Sequence, residues 1–502
     1  MKRKDDAEAG QREVVEFLSS PSTHGGPVER VNTHISRLFM AGGYAWKLKR
    51  AVKTPYADFS TLALRERFCR REIAVNAAAR DLYLGVAPVT RGPGGLSIGG
   101  DGEPLEWLVQ MRRFDRSHEL DRLADQRRLS RPMIERLALQ IARLHRAAPE
   151  APSAGGRVAV LATIRAIAAA FDSVDAGPAF ATKVAAWRSA AEIRAACHSA
   201  LLDQRRRLGQ VKRCHGDLHL GNIVMLGETP VPFDAIEFDE GIATVDVMYD
   251  LAFTVMDLCA RDCRGEASLL LSGYLGIAGG YAALPLMPLF VSMRAAIRSM
   301  VAATKGEGAK AEARLDAALT ALEGRPVPRL IAVGGISGTG KSTLSAAIAP
   351  RLGPLAGGVV IRSDLSRKRI AGVDPGTRLP QSAYGVRMDR LVIRCMMLAA
   401  RTVLRAGQPV VLDATFLGED MRNALEGLAT REGVPVEGLW LRTAAKTAAE
   451  RVAARVHDAS DATADVVMRQ RFADAPPEGW HCLDASATPE GVASAAFAHL
   501  GI

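Results

Sequence analysis

A glycine-rich segment with one lysine carries the most specific chemical signal in this chain. Residues 334–343 have the sequence GGISGTGKST, and Gly335 to Ser342 fit G-x-x-x-x-G-K-[ST] at every defined position. Glycines in such a loop let backbone N–H groups converge on phosphate oxygens at the start of the following helix. Lys341 would reach the terminal phosphates, and the Ser342 hydroxyl would ligate magnesium. The pattern predicts an ATP-binding loop (P-loop) whose contacts come from Gly335, Ser337, Gly338, Thr339, Gly340, Lys341, Ser342 and Thr343.

Two carboxylates beyond this loop indicate which reaction it serves. Asp413 lies in the apolar run PVVLDATF, where it would complete the magnesium shell. A motor ATPase usually has Glu directly after that Asp to activate water, whereas Ala414 stands here. Asp364 follows the run VVIRS, near where a hydroxyl acceptor would lie, although an Asp at that point could also cap a helix. The pair favours a kinase over a motor.

Two arginines further along are candidates for holding the transferring phosphoryl group. Arg451 and Arg455 lie four residues apart in a helical stretch, so they share one face of the helix. Arginines so placed can clamp phosphate oxygens. The alternative is that they only solvate the surface of that helix.

A second set of residues, far from the first, also has the types that phosphoryl transfer needs. Residues 215–222 have the sequence HGDLHLGN, in which Asp217 and Asn222 lie five residues apart. This spacing places an acceptor-facing carboxylate and a metal-facing amide on one short loop. Asp234, at the end of the next apolar run, is a second candidate for magnesium. We interpret His215 and His219 as residues that pack the loop rather than as metal ligands.

Upstream residues could supply a cation for the phosphates of this second site. Lys47 lies on the predicted strand AWKLKR, and Glu72 lies on the helix that follows, where the two could pair. Lys49 shares a strand face with Lys47, so the roles of the two lysines could be exchanged. Residues 33–36 form the turn where protein kinases have a glycine-rich loop, and they include no glycine.

The motif HGDLHLGN with Asp234 downstream resembles the aminoglycoside phosphotransferase family, the small-molecule branch of the protein-kinase-like fold. The resemblance implies that Asp217 orients or accepts the acceptor proton and that Asn222 and Asp234 bind magnesium. It also implies that Lys47, paired with Glu72, holds the nucleotide phosphates.

The second half resembles small-molecule kinases of the gluconate-kinase and zeta-toxin type. In those kinases an Asp at the position of Asp364 contacts and deprotonates the acceptor hydroxyl. The two halves together resemble bifunctional aminoglycoside phosphotransferase/ATP-binding proteins.

The first half must fold so that these residues meet. Residues 28–50 predict two strands around Gly42–Gly43, residues 60–80 an amphipathic helix, and residues 106–114 a further strand. Residues 131–205 are rich in Ala, Leu and Arg and predict helices. We therefore expect an α+β protein-kinase-like half with a small β-rich lobe and a helical lobe.

The second half has a different order of predicted strands and helices. The runs LIAVGG, GVVIRSD, PVVLDATF and VEGLWLRT alternate with helical segments, which is typical of a parallel sheet covered by helices. Gly324 and the two prolines that follow it end a charged helix and mark a boundary. We expect a kinase-like domain over residues 1–324 and an α/β P-loop domain over residues 325–502.

Composition excludes several classes of protein. The chain has 502 residues, 48% hydrophobic and 24% charged, which does not fit wholesale disorder. The net charge is +10, but aromatic residues make up only 5%, so polyanionic nucleotides explain the charge better than nucleic acid does. Seven cysteines without a CxxC pair indicate reduced thiols, and the apolar stretch 269–293 is broken by glycines and prolines. We expect a cytoplasmic protein without a membrane span.

The expected function is an ATP-dependent phosphotransferase with two separate sites for ATP and Mg²⁺, acting on small hydroxyl-bearing molecules. One alternative is a P-loop kinase or ATPase regulated by a catalytically weak, kinase-like ligand-binding domain. A second alternative, suggested by the positive charge, is a nucleic-acid end kinase.

Overall fold

Strands and helices cover most of the residues that the computed structural model describes, which are 10–54, 57–174, 177–454, 459–471 and 475–502. In chain order the strands are β1 Glu29–Asn32, β2 Ser36–Ala41, β3 Tyr44–Lys49, β4 Tyr83–Gly92, β5 Gly95–Ile98, β6 Pro104–Arg112, β7 Val211–Arg213, β8 Ile223–Leu226, β9 Thr229–Pro232, β10 Thr244–Asp246, β11 Leu330–Gly334, β12 Val359–Arg362, β13 Val410–Asp413, β14 Val436–Arg442 and β15 His481–Asp484. The α-helices are α1 Arg12–Ser19, α2 Pro21–His24, α3 Leu62–Val75, α4 Leu120–Asp125, α5 Arg131–Ala147, α6 Gly156–Ala170, α7 Gly177–Cys197, α8 Ser199–Arg207, α9 Glu240–Ala243, α10 Val247–Ala260, α11 Arg264–Ala278, α12 Met287–Thr304, α13 Gly308–Glu323, α14 Lys341–Ile348, α15 Ser363–Ile370, α16 Val386–Arg405, α17 Glu419–Glu432, α18 Ala445–Ala453, α19 Ala464–Gln470 and α20 Pro489–Leu500.

The described residues form two compact units. The first contains those of Met1–Arg128, Ala148–Gly155 and Gly209–Asp250. The second contains those of Leu129–Ala147, Gly156–Leu208 and Leu251–Ile502.

The first unit is built on an antiparallel sheet with the strand order β1-β2-β3-β6-β4-β5. Helix α3 packs against β6 and begins at Thr61, whose hydroxyl accepts a hydrogen bond from the Leu64 N–H. The expected strand over residues 28–40 is two strands, because the backbone turns between Asn32 and Ser36. The hairpin β8–β9 and the antiparallel pair β7–β10 complete this unit and flank the loop 215–222.

A buried ion pair joins α3 to the sheet of the first unit. Arg65 donates through Nε to Glu106 Oε2 at 2.9 Å, and both side chains are almost fully buried. Gln11 donates to Glu106 Oε1 at 3.1 Å and to the Lys49 carbonyl at 2.9 Å. The carboxylate of Glu106, on β6, therefore fixes α3 and the residue preceding α1 to the sheet.

The second unit combines a helical part with a parallel sheet. Buried contacts tie its helices together, as where Trp187 Nε1 donates to Ser292 Oγ at 3.0 Å. Among the described residues, one segment, Tyr281–Thr304, is long and apolar enough to cross a membrane, with a mean hydropathy of 1.3. That segment is 67% buried inside the protein, as expected of a core helix.

The parallel sheet of the second unit has the strand order β12-β13-β11-β14-β15. The four runs predicted from sequence correspond to β11–β14, whereas the short edge strand β15 was not predicted. The central strand β11 pairs with β13 and β14, and all five of its residues are buried. Because parallel strands end at a common edge, the loop after β11 lies beside the end of β13.

Edge strand β12 is covered by α11. Ser272 Oγ accepts a hydrogen bond from the Val360 N–H at 3.0 Å, and Gly276 lies against Leu365 of α15. A Cβ at Gly276 would come within 2.9 Å of Leu365 Cδ1, so a larger residue there would displace the Leu365 side chain. This helix therefore satisfies part of the edge that β12 would otherwise leave open.

We predict that Glu106→Ala destabilises the first unit by about 3–5 kcal/mol, because it leaves the buried Arg65 guanidinium without its carboxylate. Amide hydrogen exchange in β3 and β6 should accelerate roughly 100-fold or more. Glu66→Ala, which removes a surface pair with Arg70 on the same helix, is the control and should change stability by less than about 0.5 kcal/mol. Equal exchange rates in the two variants would contradict the role given to Glu106.

Candidate functional sites

Lys47 lies at the centre of the site in the first unit. Its Nζ donates to Glu72 Oε1 at 2.8 Å and to Asp234 Oδ1 at 2.6 Å. Strand β3 presents this lysine between β2 and β6, and α3 presents Glu72 to it. The structure thus brings together three of the predicted residues, which come from a strand, a helix and a loop far apart in sequence.

Lys49 has a different environment from Lys47. It is fully buried and donates to Glu72 Oε2 at 2.7 Å and also to Glu237. Burial opposes its charge, but Glu72 and Glu237 raise the pKa of Lys49 above its ordinary value. Among the described residues, Lys47 pairs with Asp234, a candidate magnesium residue, whereas Lys49 pairs with the buried Glu237. This difference favours Lys47 as the residue that faces the phosphates.

Glu72 is the shared partner of the two lysines. Burial by itself would raise the pKa of Glu72, but Lys47 and Lys49 lower it to about 2. Its carboxylate is therefore ionised at neutral pH, and each of its oxygens accepts from a different ammonium group.

The loop 215–222 is held by a buried carboxylate that sequence analysis did not single out. Asp250 accepts from the His215 N–H at 3.2 Å and from the Gly216 N–H at 2.8 Å. Gly216 has φ +85°, and a Cβ there would lie 3.1 Å from Ala243 Cα. Only glycine fits this backbone comfortably. No local pattern marks Asp250, because it acts from the start of the next helix.

The two histidines of the loop have structural partners. His215 Nε2 lies 2.9 Å from the Phe233 carbonyl, and its Nδ1 accepts from the Asp217 N–H at 3.3 Å. Burial lowers the pKa of His215, so the ring is neutral at neutral pH. Both ring nitrogens take part in the contacts just described. His219 Nδ1 accepts from the Gly221 N–H at 3.1 Å. These contacts favour packing roles over metal ligation.

Asp217, Asn222 and Asp234 provide the oxygen atoms of this site. Asn222 Nδ2 donates to the Asp217 carbonyl at 2.9 Å and to Asp217 Oδ2 at 3.0 Å. Asp234 has φ +61°, and its N–H donates to the Tyr83 hydroxyl at 3.1 Å. Carboxylate and amide oxygens are the ligands that Mg²⁺ prefers, so this donor set fits the metal.

The turn that replaces a glycine-rich loop is closed by its own side chains. Thr33 Oγ1 accepts from the Ser36 N–H at 2.9 Å, and the Arg50 N–H donates to the Ile35 carbonyl at 2.8 Å. These bonds stabilise a hairpin without glycine.

The P-loop of the second unit follows β11 as expected and leads into α14. Gly335, Gly338 and Gly340 all have positive φ, at 128°, 89° and 95°. A Cβ at Gly338 would collide with the Ala448 carbonyl of α18. Lys341 Nζ donates to the Ile336 carbonyl at 2.8 Å, so the lysine lies folded over the loop.

The remaining residues of the loop are also positioned by hydrogen bonds. Thr339 Oγ1 donates to the Ile336 carbonyl at 2.9 Å, and the Thr343 N–H donates to the Gly340 carbonyl at 3.0 Å. The Ser337 N–H donates to the side-chain oxygen of Gln470 at 2.8 Å. Gln470, at the end of α19, was not predicted, because a lone Gln in a helical segment has no sequence signal.

Asp413 lies beside the P-loop at the end of β13, in register with Val333 of β11. Its side chain is buried, and its Oδ2 accepts no hydrogen bond from the part of the chain that the structure describes. A buried carboxylate oxygen left in this way is costly unless a cation joins it. The position therefore fits magnesium, with Ser342 as the hydroxyl ligand on the neighbouring loop.

Asp364 lies in the first turn of α15 rather than at its N-cap, which is Arg362. Arg367 on the same helix donates to Asp389 Oδ1 at 2.7 Å and stacks over the Tyr384 ring. Burial, followed by Asp461 and Asp364, raises the pKa of Tyr384 above its ordinary value. The electrostatic influence of Asp364 thus extends to a tyrosine that sequence analysis did not identify.

Asp461 connects the segment before α19 with α15. It accepts from Lys368 Nζ at 2.6 and 2.7 Å, from the Tyr384 hydroxyl at 2.6 Å and from the Leu379 N–H at 3.0 Å. Lys368 is only 2% exposed. A buried ion pair therefore fixes the segment just before α19 to α15.

The structure gives Arg451 a backbone partner, since its Nη1 donates to the Ala485 carbonyl at 2.9 Å. Arg455 lies outside the described residues.

We predict that Lys49→Met destabilises the protein more than Lys47→Met does, by about 3 kcal/mol or more, because it leaves Glu72 and Glu237 buried beside one lysine fewer. In Lys47→Met, Glu72 keeps Lys49 as its partner, and Asp234 is half exposed. The urea midpoints of the two variants measure the difference. Equal midpoints would contradict the distinction between the lysines.

We predict that Gly338→Ala loosens α18, whereas Gly340→Ala does not. Both substitutions place a side chain at positive φ, at a cost of about 1–2 kcal/mol. Only the Cβ at position 338 meets another segment, because nothing lies within 4 Å of a Cβ at position 340. Amide exchange of α18 residues should accelerate in Gly338→Ala alone, and acceleration in both variants would contradict the contact.

Two family models match this chain. Residues 63–286 match the phosphotransferase enzyme family, and residues 330–477 match a model described as an AAA domain. The first match includes Glu72, Asp217, Asn222 and Asp234, and the second includes the complete P-loop.

The chain is also similar to uncharacterized proteins of Mycobacterium tuberculosis and Mycobacterium bovis. Each is 29% identical over 483 residues, which cover 91% of this chain and 92% of the relative. The similarity therefore extends through both matched segments.

Solved structures resemble each part separately. A choline/ethanolamine kinase family protein from Mesorhizobium loti is 15% identical, with a TM-score of 0.40, and covers 64% of this chain and 95% of its own. The GDP complex of an aminoglycoside 2'-phosphotransferase is 11% identical, with a TM-score of 0.38, and covers 62% and 99%. A gluconokinase from Sinorhizobium meliloti is 22% identical, with a TM-score of 0.26, and covers 35% and 94%.

The family matches and the geometry of the two sites lead to one conclusion. The chain is a kinase or phosphotransferase that joins a domain of the phosphotransferase enzyme family, residues 63–286, to a P-loop AAA domain, residues 330–477.

Proposed function

We propose that the protein has two separate sites for ATP and Mg²⁺ and that each transfers a γ-phosphoryl group to a hydroxyl group of a small molecule. The protein would act in the cytoplasm, where ATP is abundant and where its free cysteines stay reduced. The proposed boundary between the domains is at residues 324 and 325, between the two matched segments.

In the N-terminal site, the residues would have distinct roles. Lys47 would bind the nucleotide phosphates, and Glu72 would keep its ammonium group in place. Asp217, whose carboxylate accepts a hydrogen bond from the Asn222 amide, would accept or orient the proton of the acceptor hydroxyl. Asn222 and Asp234 would hold magnesium, which offsets the charge that develops on the transferring group.

In the P-loop site, the backbone N–H groups of the loop would bind the β-phosphate at the start of α14. Lys341 would leave the Ile336 carbonyl and reach the terminal phosphates. Ser342 and Asp413 would hold magnesium, and Asp364 would guide the acceptor hydroxyl. Ala414 supplies no carboxylate to activate water, which supports transfer to an alcohol over hydrolysis.

One observation carries the proposal for the N-terminal half, namely the triad of Lys47, Glu72 and Asp234 with distances of 2.8 and 2.6 Å. A domain that only bound a ligand would not need a half-exposed carboxylate, Asp234, paired with a lysine that also pairs with a buried glutamate. Buried and partly buried charges of this kind are costly unless they serve a site.

The observation that favours the regulatory alternative is the hairpin at residues 33–36. Its turn is closed by Thr33 and Ser36 and offers no glycine for a close approach to phosphate. Under this alternative the N-terminal half binds a ligand and transfers phosphate weakly or not at all.

We predict that a screen of hydroxyl-bearing metabolites for transfer of labelled γ-phosphate finds acceptors that fall into two groups. Asp217→Asn should lower transfer to one group by about 10²–10⁴-fold, because it removes the acceptor-facing carboxylate. Lys341→Met should abolish transfer to the other group, because it removes the cation of the P-loop.

The controls are Asp101→Asn and Lys446→Met, which change exposed residues of the same types outside both sites. They should leave transfer to every acceptor unchanged. If Asp217→Asn retains full transfer to all acceptors, the N-terminal site is not an enzyme site and the regulatory alternative stands.

A further inference from the structure

Helix α5 lies within the phosphotransferase match, yet it packs in the same compact unit as the P-loop. Its apolar face is buried, with Ile134, Leu137 and Ile141 at 0% exposure. Arg131 and Glu135, at positions i and i+4, form an ion pair of 2.9 Å at the start of this helix. Both of their side chains contact residues of the P-loop site.

Arg131 contacts the backbone of Ser342, a candidate magnesium residue of the P-loop. Its Nη1 donates to the carbonyl of Ser342 at 3.2 Å. Ser342 is the second residue of α14, and its hydroxyl is the candidate magnesium ligand. A charged donor on its carbonyl fixes the first turn of the helix that presents this hydroxyl.

Glu135 is linked through Arg362 to Asp413, the other candidate magnesium residue. Glu135 Oε1 lies 3.7 Å from Arg362 Nη1, and Arg362 Nε lies 3.6 Å from Asp413 Oδ2. Arg362 ends β12 and is in register with Asp413 on β13, so the two side chains must share one end of the sheet. The result is a series of side chains with alternating charges, in the order Asp413, Arg362, Glu135 and Arg131.

The position of Arg362 between two carboxylates has a direct consequence. Its guanidinium is 11% exposed and is attracted by Asp413 on one side and by Glu135 on the other. At 3.6 Å it makes no hydrogen bond with Asp413 Oδ2, so this buried oxygen receives no hydrogen bond from the described residues and can still ligate a cation. Without the pull of Glu135, the guanidinium would close on Asp413 and compete with magnesium for the same oxygen.

We infer that Glu135, contributed by the phosphotransferase match, is a positioning residue for the P-loop site. It holds Arg362 away from Asp413 and so keeps the Asp413 carboxylate available to magnesium. This inference rests on the proposed function of the P-loop site as a site for ATP and Mg²⁺.

The test measures nucleotide binding instead of phosphate transfer. Binding of a fluorescent ATP analogue to the full-length chain is titrated with Mg²⁺, and the signal that Lys341→Met removes is assigned to the P-loop. In Glu135→Gln, the Mg²⁺ concentration for half-maximal binding should rise roughly threefold to fivefold. At saturating Mg²⁺ the affinity for the analogue should equal that of the wild type.

A double variant separates this role from a general loosening of the structure. Glu135→Gln combined with Arg362→Gln removes the competitor as well, so the Mg²⁺ requirement should return to or below that of the wild type. Arg143→Gln is the matched control, because it breaks another ion pair of α5, with Asp374 at 2.5 Å, that does not lead to Asp413. This control should leave the Mg²⁺ requirement unchanged.

The outcomes distinguish this inference from the proposed function. An unchanged Mg²⁺ requirement in Glu135→Gln, or no recovery in the double variant, overturns the role of Glu135 while the P-loop site stands. If Lys341→Met removes no Mg²⁺-dependent binding, both the proposed P-loop function and this inference are overturned.

Discussion

The burial of Glu72 is the constraint on which the N-terminal site depends. A fully buried carboxylate is costly unless it is paired, and Lys47 and Lys49 each pair with one oxygen of Glu72. Each lysine in turn pairs with a further acid, Asp234 or Glu237. The five side chains therefore join β3, α3 and the segment after β9 in one network of ion pairs. Movement of any one side chain would take an ion-pair partner from another.

The balance of charge in this network matters for its chemistry. Three carboxylates face two ammonium groups, so one negative charge is in excess while all five groups are ionised. Burial raises the pKa of Glu237, and Lys49 offsets this only in part. Asp234 is at the open end, half exposed, where a metal ion can add positive charge. The arrangement thus favours binding of a further cation at the Asp234 end of the network.

The P-loop site follows the same electrostatic logic with a different fold. There the carboxylates of Asp413 and Glu135 alternate with the guanidinium groups of Arg362 and Arg131, and the charges balance. The contacts of Arg362 with these two carboxylates, at 3.6 and 3.7 Å, are longer than those of Lys47 with Asp234 and Glu72, at 2.6 and 2.8 Å.

Local sequence patterns predicted the elements well because each element depends on its own residues. Thr61 caps α3, the β-branched runs form β11 to β13, and the glycines of the P-loop adopt positive φ. The edge strand β15 has only four residues and mixed polarity, so it lacked such a pattern.

The partners that complete the sites could not be predicted in this way. Glu237, Asp250, Gln470 and Asp461 are single polar residues whose roles arise from tertiary packing. Each contacts residues dozens to hundreds of positions away, and no spacing rule connects such pairs. The motifs marked where the chemistry lies, whereas the long-range contacts that hold those motifs emerge only in the folded chain.

Sequence similarity and physical contact also divide this chain differently. By similarity, α5 and α11 belong to the match over residues 63–286, but by contact they belong with the parallel sheet. Ser272 of α11 accepts the Val360 N–H of edge strand β12, and Arg131 of α5 donates to Ser342 in the P-loop. Polar backbone groups at a sheet edge need partners, and here helices of the preceding segment provide them. The P-loop segment is therefore not self-contained in this chain. Its edge strand and its candidate magnesium residues depend on helices from the other match, which gives the fusion of the two segments a physical basis.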